Sequence, residues 1–169
     1  MPQFSTKRRV RHSAAEMFDL VADIERYPEF VPLCRSMQVR RRFREEGREV
    51  VVAEMTVAYK LLRETFGSRV SLDREGLTID VAYLDGPFSR MENRWRFLPV
   101  PATPERAAVA EEVGVGGEEA ACDVEFFISY EFRSRTLAVL MGAMFDAAFR
   151  RFAAAFERRA DLVYGSRPA

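Results

Sequence analysis

Residues 134–162 contain no proline and a single glycine, Gly142. Advanced at about 100° per residue, Leu137, Met141, Met144, Phe145, Ala148, Phe149, Phe152, Ala155 and Phe156 fall on one face roughly 140° wide. Asp146, Arg150, Glu157 and Asp161 fall opposite. The pattern predicts an amphipathic helix whose apolar stripe is wider than a coiled-coil seam. Four phenylalanines and two methionines on one stripe need a large covering surface. At about 1.5–3 kcal/mol per large side chain buried, covering them is worth about 10 kcal/mol or more. The rest of the chain has to supply that cover.

The middle of the chain can supply it. From residue 35 to 100 the apolar period is two. Val51, Ala53, Met55, Val57 and Tyr59 share one strand face; Phe66, Ser68, Val70 and Leu72 share another. Leu77, Ile79, Val81 and Tyr83 form a third face, and Met91, Asn93, Trp95 and Phe97 a fourth. Turn signals separate them at Glu46-Gly47, Arg74-Glu75-Gly76 and Asp85-Gly86-Pro87. Short connections between alternating strands mean an antiparallel meander. The same alternation predicts a last strand over 122–132, with Val124, Phe126, Ile128, Tyr130 and Phe132 inward.

Ahead of the meander, residues 3–11 read as a charged edge strand. Ser13-Ala-Ala-Glu16 reads as a capping box that opens a helix over 14–22. Pro28 and Pro32 then forbid a long helix. Asp23 is placed to cap one further turn, and a kinked segment carries Tyr27, Phe30, Val31 and Leu33 towards an apolar surface. Residues 101–120, rich in Pro, Gly and Glu, read as an exposed loop insertion within a single domain spanning 1–169. The fold class that follows is α+β. A curved antiparallel sheet of about seven strands wraps around a long C-terminal helix, with one or two short helices after the first strand.

Net charge is zero, so no bulk field draws the chain to DNA or to an anionic surface. Cys34 and Cys122 lack a CxxC context and read as buried thiols in a reducing compartment. The basic N-terminus lacks an apolar targeting core, and no stretch approaches the roughly 20 apolar residues of a membrane span. These features predict a cytoplasmic protein, with peripheral contact to the inner membrane as an added expectation.

Catalysis needs a placed acid, base, nucleophile or metal. His12 is the single histidine and reads as the end of the first strand. Asp80 and Glu54 alternate to the outer face, and no HExxH, GxSxG, phosphate-loop or GxGxxG motif is present. We expect no catalytic residue, no metal site and no cofactor: a binding protein rather than an enzyme. The inward side chains instead suit an apolar cavity. Met55, Tyr59, Phe66, Trp95, Phe126 and Tyr130 come from the strands, and Met144, Phe145 and Phe149 from the helix. Tyr27, Phe30, Val31, Pro87 and Phe88 are expected at its mouth. Arg40, Arg41, Arg42 and Arg44, around Phe43, form the densest basic patch, suited to lipid phosphate or ribosomal RNA.

Four stretches carry a resemblance. They are Val21-Ala-Asp-Ile-Glu-Arg-Tyr-Pro-Glu-Phe-Val-Pro-Leu-Cys34, Asp85-Gly-Pro-Phe88, Asn93-Arg-Trp-Arg-Phe97 and Tyr130-Glu-Phe-Arg-Ser-Arg-Thr-Leu137. Together they resemble the coenzyme Q-binding branch of the polyketide cyclase/dehydrase-like family, in the START (Bet v 1-like) superfamily. That branch also holds the bacterial ribosome association toxin proteins. The resemblance implies the helix-grip fold and binding of an isoprenoid quinone such as ubiquinone, in support of respiration and quinone biosynthesis. It leaves two alternatives: a ribosome-binding protein that acts on the large subunit to block subunit joining, and, more weakly, a polyketide cyclase.

Overall fold

A computed structural model describes residues 2–100 and 121–165. The expected loop insertion at 101–120 lies outside the described residues. Strand β1 (Gln3–Val10) leads into helix α1 (Ala14–Ala22), and a 3-10 helix (Ile24–Glu29) follows. Six strands come next: β2 (Cys34–Glu45), β3 (Arg48–Tyr59), β4 (Leu62–Asp73), β5 (Thr78–Asp85), β6 (Phe88–Pro99) and β7 (Cys122–Phe132). Helix α2 (Arg135–Tyr164) ends the described chain.

The capping box forms as its spacing predicts. The Glu16 amide donates to Ser13 Oγ at 3.1 Å, and the Ser13 amide donates to Glu16 Oε1 at 2.9 Å. Asp23 does not cap the next turn through its side chain. Its backbone carbonyl instead accepts from the Arg26 amide at 3.2 Å. With Pro28 inside the turn, the segment settles as the tighter 3-10 form, a common shape for such short connectors.

The seven strands form one antiparallel sheet in the order β1-β7-β6-β5-β4-β3-β2. β2 to β7 are a plain meander, and β1 closes on the outer edge of β7. Breaks in pairing between Cys34 and Ser36, and between Val39 and Arg41, each insert an extra residue into edge strand β2. Bulges of this kind bend a strand and sharpen its twist, and here they help curl the sheet.

Helix α2 lies in the concavity. Met141, Phe145, Ala148, Phe149, Ala155 and Phe156 are buried on its stripe. Trp95 of β6 meets Phe156 at 5.0 Å between ring centroids, and Phe126 of β7 meets Phe152 at 5.8 Å. On the far side of the helix, Asp146 and Arg150 pair in solvent at 3.0 Å. Glu157 and Asp161, expected there too, tie the helix down instead. Glu157 accepts from Arg8 Nε and Nη2 at 2.8 and 2.6 Å, and Asp161 Oδ1 lies 2.7 Å from His12 Nε2.

His12 is therefore not an exposed strand end. It lies just past β1, fully buried, with its ring 6.1 Å from that of Tyr164. The Tyr164 hydroxyl donates to the Glu16 carbonyl at 3.1 Å. Together these contacts fasten the last turns of α2 to the start of α1.

Candidate ligand cavity

Between the sheet and α2 the packing is incomplete. β3 contributes Ala53, Met55 and Val57 to the gap, and β4 contributes Phe66, Ser68 and Val70. β5 supplies Ile79 and Val81; β6 supplies Phe88, Met91, Asn93 and Trp95; β7 supplies Phe126 and Ile128. These are alternate residues on each strand, because successive side chains of a strand point to opposite faces. The helix closes the gap with Phe145, Ala148, Phe149, Phe152 and Phe156, and Ile24, Tyr27, Val31, Pro32, Leu33 and Met37 cover one end.

The enclosed volume is about 100 Å³. That is small beside the roughly 300–1,000 Å³ of typical ligand pockets, yet too large to be a packing defect. Four lining side chains carry a nitrogen or oxygen: Tyr27, Ser68, Asn93 and Trp95. The Tyr27 hydroxyl is committed to the Val21 carbonyl, and burial raises its pKa above the ordinary phenol value. Asn93 Nδ2 donates to the Phe127 carbonyl at 2.9 Å. Among the described residues no carboxylate, imidazole or thiol lines the space, so its chemistry is that of an apolar container with two or three polar points.

The sequence matches the profile for polyketide cyclase/dehydrase and lipid transport proteins over residues 10–157, most of the chain. This chain belongs to that family. Within the polyketide cyclase/dehydrase and lipid transport family it is 33% identical over 165 residues to the ribosome association toxin RatA of Vibrio cholerae, covering 98% of this chain and 99% of that one. It is 27% identical to the mitochondrial coenzyme Q-binding protein COQ10 homolog B of Xenopus laevis, over 96% of this chain and 59% of that one. A START superfamily protein from Mycobacterium smegmatis superposes with a TM-score of 0.72 at 17% identity, covering 95% and 98% of the two chains. The fold is thus START-like.

Of the side chains expected to line the space, Tyr27, Val31, Met55, Phe66, Phe88, Trp95, Phe126, Phe145 and Phe149 border it. Four do not. Tyr59 has the right alternation but lies where β3 runs beyond the cover of α2, so it is 46% exposed, with Lys60 Nζ 5.3 Å above its ring. Met144 sits on the flank of the stripe and faces an outer groove. Tyr130 is buried as a wedge among Phe88, Phe132, Phe145 and Phe149. Phe30 packs on the outer side of Phe156 at 5.0 Å, with the Arg159 guanidinium above its ring.

The mouth also differs from expectation. Phe88 opens β6 and is a buried hub, touching Phe66, Tyr83, Tyr130, Phe132 and Phe145. Pro87 beside it is buried as well, so neither residue stands open at a mouth. At the same end of the sheet, Pro32, Leu33 and Ala148 border both the inner cavity and an outer groove. Tyr59, Lys60, Leu61 and Leu62 form one wall of that groove, and Leu140, Ala143, Met144, Ala147 and Arg151 the other; its volume is about 690 Å³. The expectation missed this groove because the β3–β4 turn at Lys60-Leu61 has no Gly, Pro, Asn or Asp to announce it.

The basic patch is largely paired. Arg40 meets Glu54 at 3.1 Å, Arg42 meets Glu25 at 2.7 Å and Glu49 at 3.2 Å, and Arg41 stacks over Phe43 at 5.0 Å. The bulge before Arg41 splits the run between two faces of the strand. Its local field is weaker than four adjacent arginines suggest.

Proposed function

We propose that this protein binds and carries an isoprenoid quinone of the ubiquinone type, holding it out of water between membranes and the enzymes that make or use it. The observation that carries the reading is the apolar space between sheet and helix, which shares Pro32, Leu33 and Ala148 with a neighbouring groove. The similarity to a protein named for coenzyme Q binding supports it. Burial drives the binding, at about 25 cal/mol per Å² of apolar surface taken from water. We read the protein as a carrier rather than a catalyst, because the lining offers no acid-base pair. Exchange with a bilayer fits the exposed residues beside the groove: Leu61 is 102% exposed and Leu140 53%, with Lys60 and Arg151 next to them. On this reading the protein meets its membrane peripherally, at this groove.

The test is organic extraction of purified protein with mass spectrometry, followed by quinone uptake from liposomes. A quinone recovered in stoichiometric amounts, or taken up to that level, is expected. Empty protein in repeated preparations that also takes up no quinone overturns the proposal.

A second reading is association with the large ribosomal subunit, favoured by the 33% identity to a protein named for ribosome association. It would use the outer surface, where Arg41 and Arg44 are exposed, and would not need the cavity. Cosedimentation with large subunits, lost on charge reversal at Arg41 and Arg44, is its test.

A further inference from the structure

The cavity is too small for a whole lipid, and its polar points are not spread evenly. Both facts bear on how a ligand sits. Ser68, on β4, is 93% buried by its 7% exposure, and its hydroxyl has no hydrogen-bond partner among the described residues. Asn93, on β6, spends one N–H on the Phe127 carbonyl; its Oδ1 accepts from no group among the described residues. Both side chains border the same hollow, on either side of β5, where Val81 pairs with Asn93 and Tyr83 with Ser68. Two strand spacings and an offset of two residues along β5 put their backbones about 12 Å apart. Concave curvature brings the side chains closer than that. A hydroxyl that opens on an apolar cavity gains from a ligand oxygen within its reach.

We propose that the site is bipartite. The inner cavity takes a single oxygen-bearing ring, with Ser68 Oγ donating to one ring oxygen and Asn93 meeting an oxygen on the opposite edge. The aliphatic chain leaves between Leu33 and Ala148 and lies in the outer groove against Leu62, Leu140 and Met144. This deepens the carrier reading and rests on it. The volumes fit the division: about 100 Å³ inside holds a ring and not a polyisoprenoid chain, and about 690 Å³ outside holds the chain. Pro32, Leu33 and Ala148 border both spaces, which puts the chain's path between them. A quinone ring offers only acceptors, which Ser68 satisfies. The reduced quinol also offers hydroxyl donors, which the free Asn93 Oδ1 accepts, so Asn93 favours the reduced form.

The full-length protein reports on its own cavity, because its single tryptophan, Trp95, lines it. Three probes are titrated: a ubiquinone bearing two isoprene units and the same ring with no chain, both read by quenching of Trp95, and a branched hydrocarbon of matching length with no ring, read by displacement of the bound quinone; the reduced quinol is read by displacement too. Ser68→Ala is expected to weaken both ring probes about fivefold and leave the hydrocarbon within twofold. Asn93→Leu is expected to weaken the quinol more than the quinone. Met144→Asp, at a partly exposed groove position that tolerates a charge, is expected to weaken the chain-bearing probes and spare the bare ring. If all three probes weaken equally in each variant, or none does while the wild type binds, the bipartite site is wrong and the carrier reading survives. If the wild type binds no quinone, both fall.

Discussion

Gly86 has a φ of +143°, and a Cβ built there would lie 2.4 Å from Phe66 Cβ and 2.9 Å from its Cα. The β5–β6 turn thus presses directly on the backbone that aims Phe66 into the cavity. Gly47 also has a positive φ, +80°, but a Cβ there meets nothing within 4 Å. Alanine at Gly47 is expected to cost about 1 kcal/mol, the strain of a left-handed residue. Alanine at Gly86 adds a backbone clash and is expected to cost clearly more, about 2–4 kcal/mol. Urea denaturation of the two variants decides the point, and equal losses would mean the close approach does not exist. A second residue-scale expectation concerns Cys34. Burial pushes its thiol up to about 11. It therefore stays protonated at pH 8 and should resist iodoacetamide in the native protein while reacting in urea, as read by mass spectrometry. The sign follows from linkage. A raised thiol pKa holds a proton that the unfolded chain releases, so this site contributes no loss below about pH 8.5 and lowers stability as pH rises from there towards 11.

At the scale of elements, the helix stripe decides more than the ion pairs around it. Phe156 is 1% exposed and meets Tyr27, Phe30 and Trp95 at 5.0 to 5.4 Å. Its replacement by alanine should cost about 3–5 kcal/mol. Arg8 makes two short bonds to Glu157 but its side chain is 44% exposed, so Arg8→Ala should cost a small fraction of that. Chemical denaturation that ranked the two in the opposite order would mean the helix is held electrostatically. The stripe, the capping box and the strand faces were legible in the sequence because each is a local periodicity with a fixed geometric meaning. What was not legible depends on where elements meet. Tyr59 and Met55 alternate identically on β3, yet Met55 lines the inner cavity and Tyr59 the outer groove. Phe88 follows a Gly-Pro turn like a loop residue, but pairing with Phe132 places it inside the sheet. Nothing near His12 in the chain foretells Asp161, 149 residues away.

At the scale of the whole molecule, the apolar groove and the exposed residues at its rim lie at one end, which is where the proposed carrier would meet its source. Leu61 at the β3–β4 tip is 102% exposed, and Val139 and Leu140 on the first turns of α2 are 81% and 53% exposed. Lys60 and Arg151 flank the same groove. Apolar side chains ringed by cations are the composition that inserts into the headgroup region of an anionic bilayer. Liposome cosedimentation should therefore show binding that strengthens with anionic lipid and weakens as salt rises. Leu61→Asp and Leu140→Asp should each lower the partition about tenfold, since each removes about 1.5–3 kcal/mol of apolar insertion. Neither residue lines the inner cavity, so both variants should still quench Trp95 normally with a water-soluble, chainless quinone. That pairing of outcomes separates delivery from storage. Loss of both properties would mean that the β3–β4 tip supports the cavity itself, and loss of neither would mean that the exposed leucines serve no membrane.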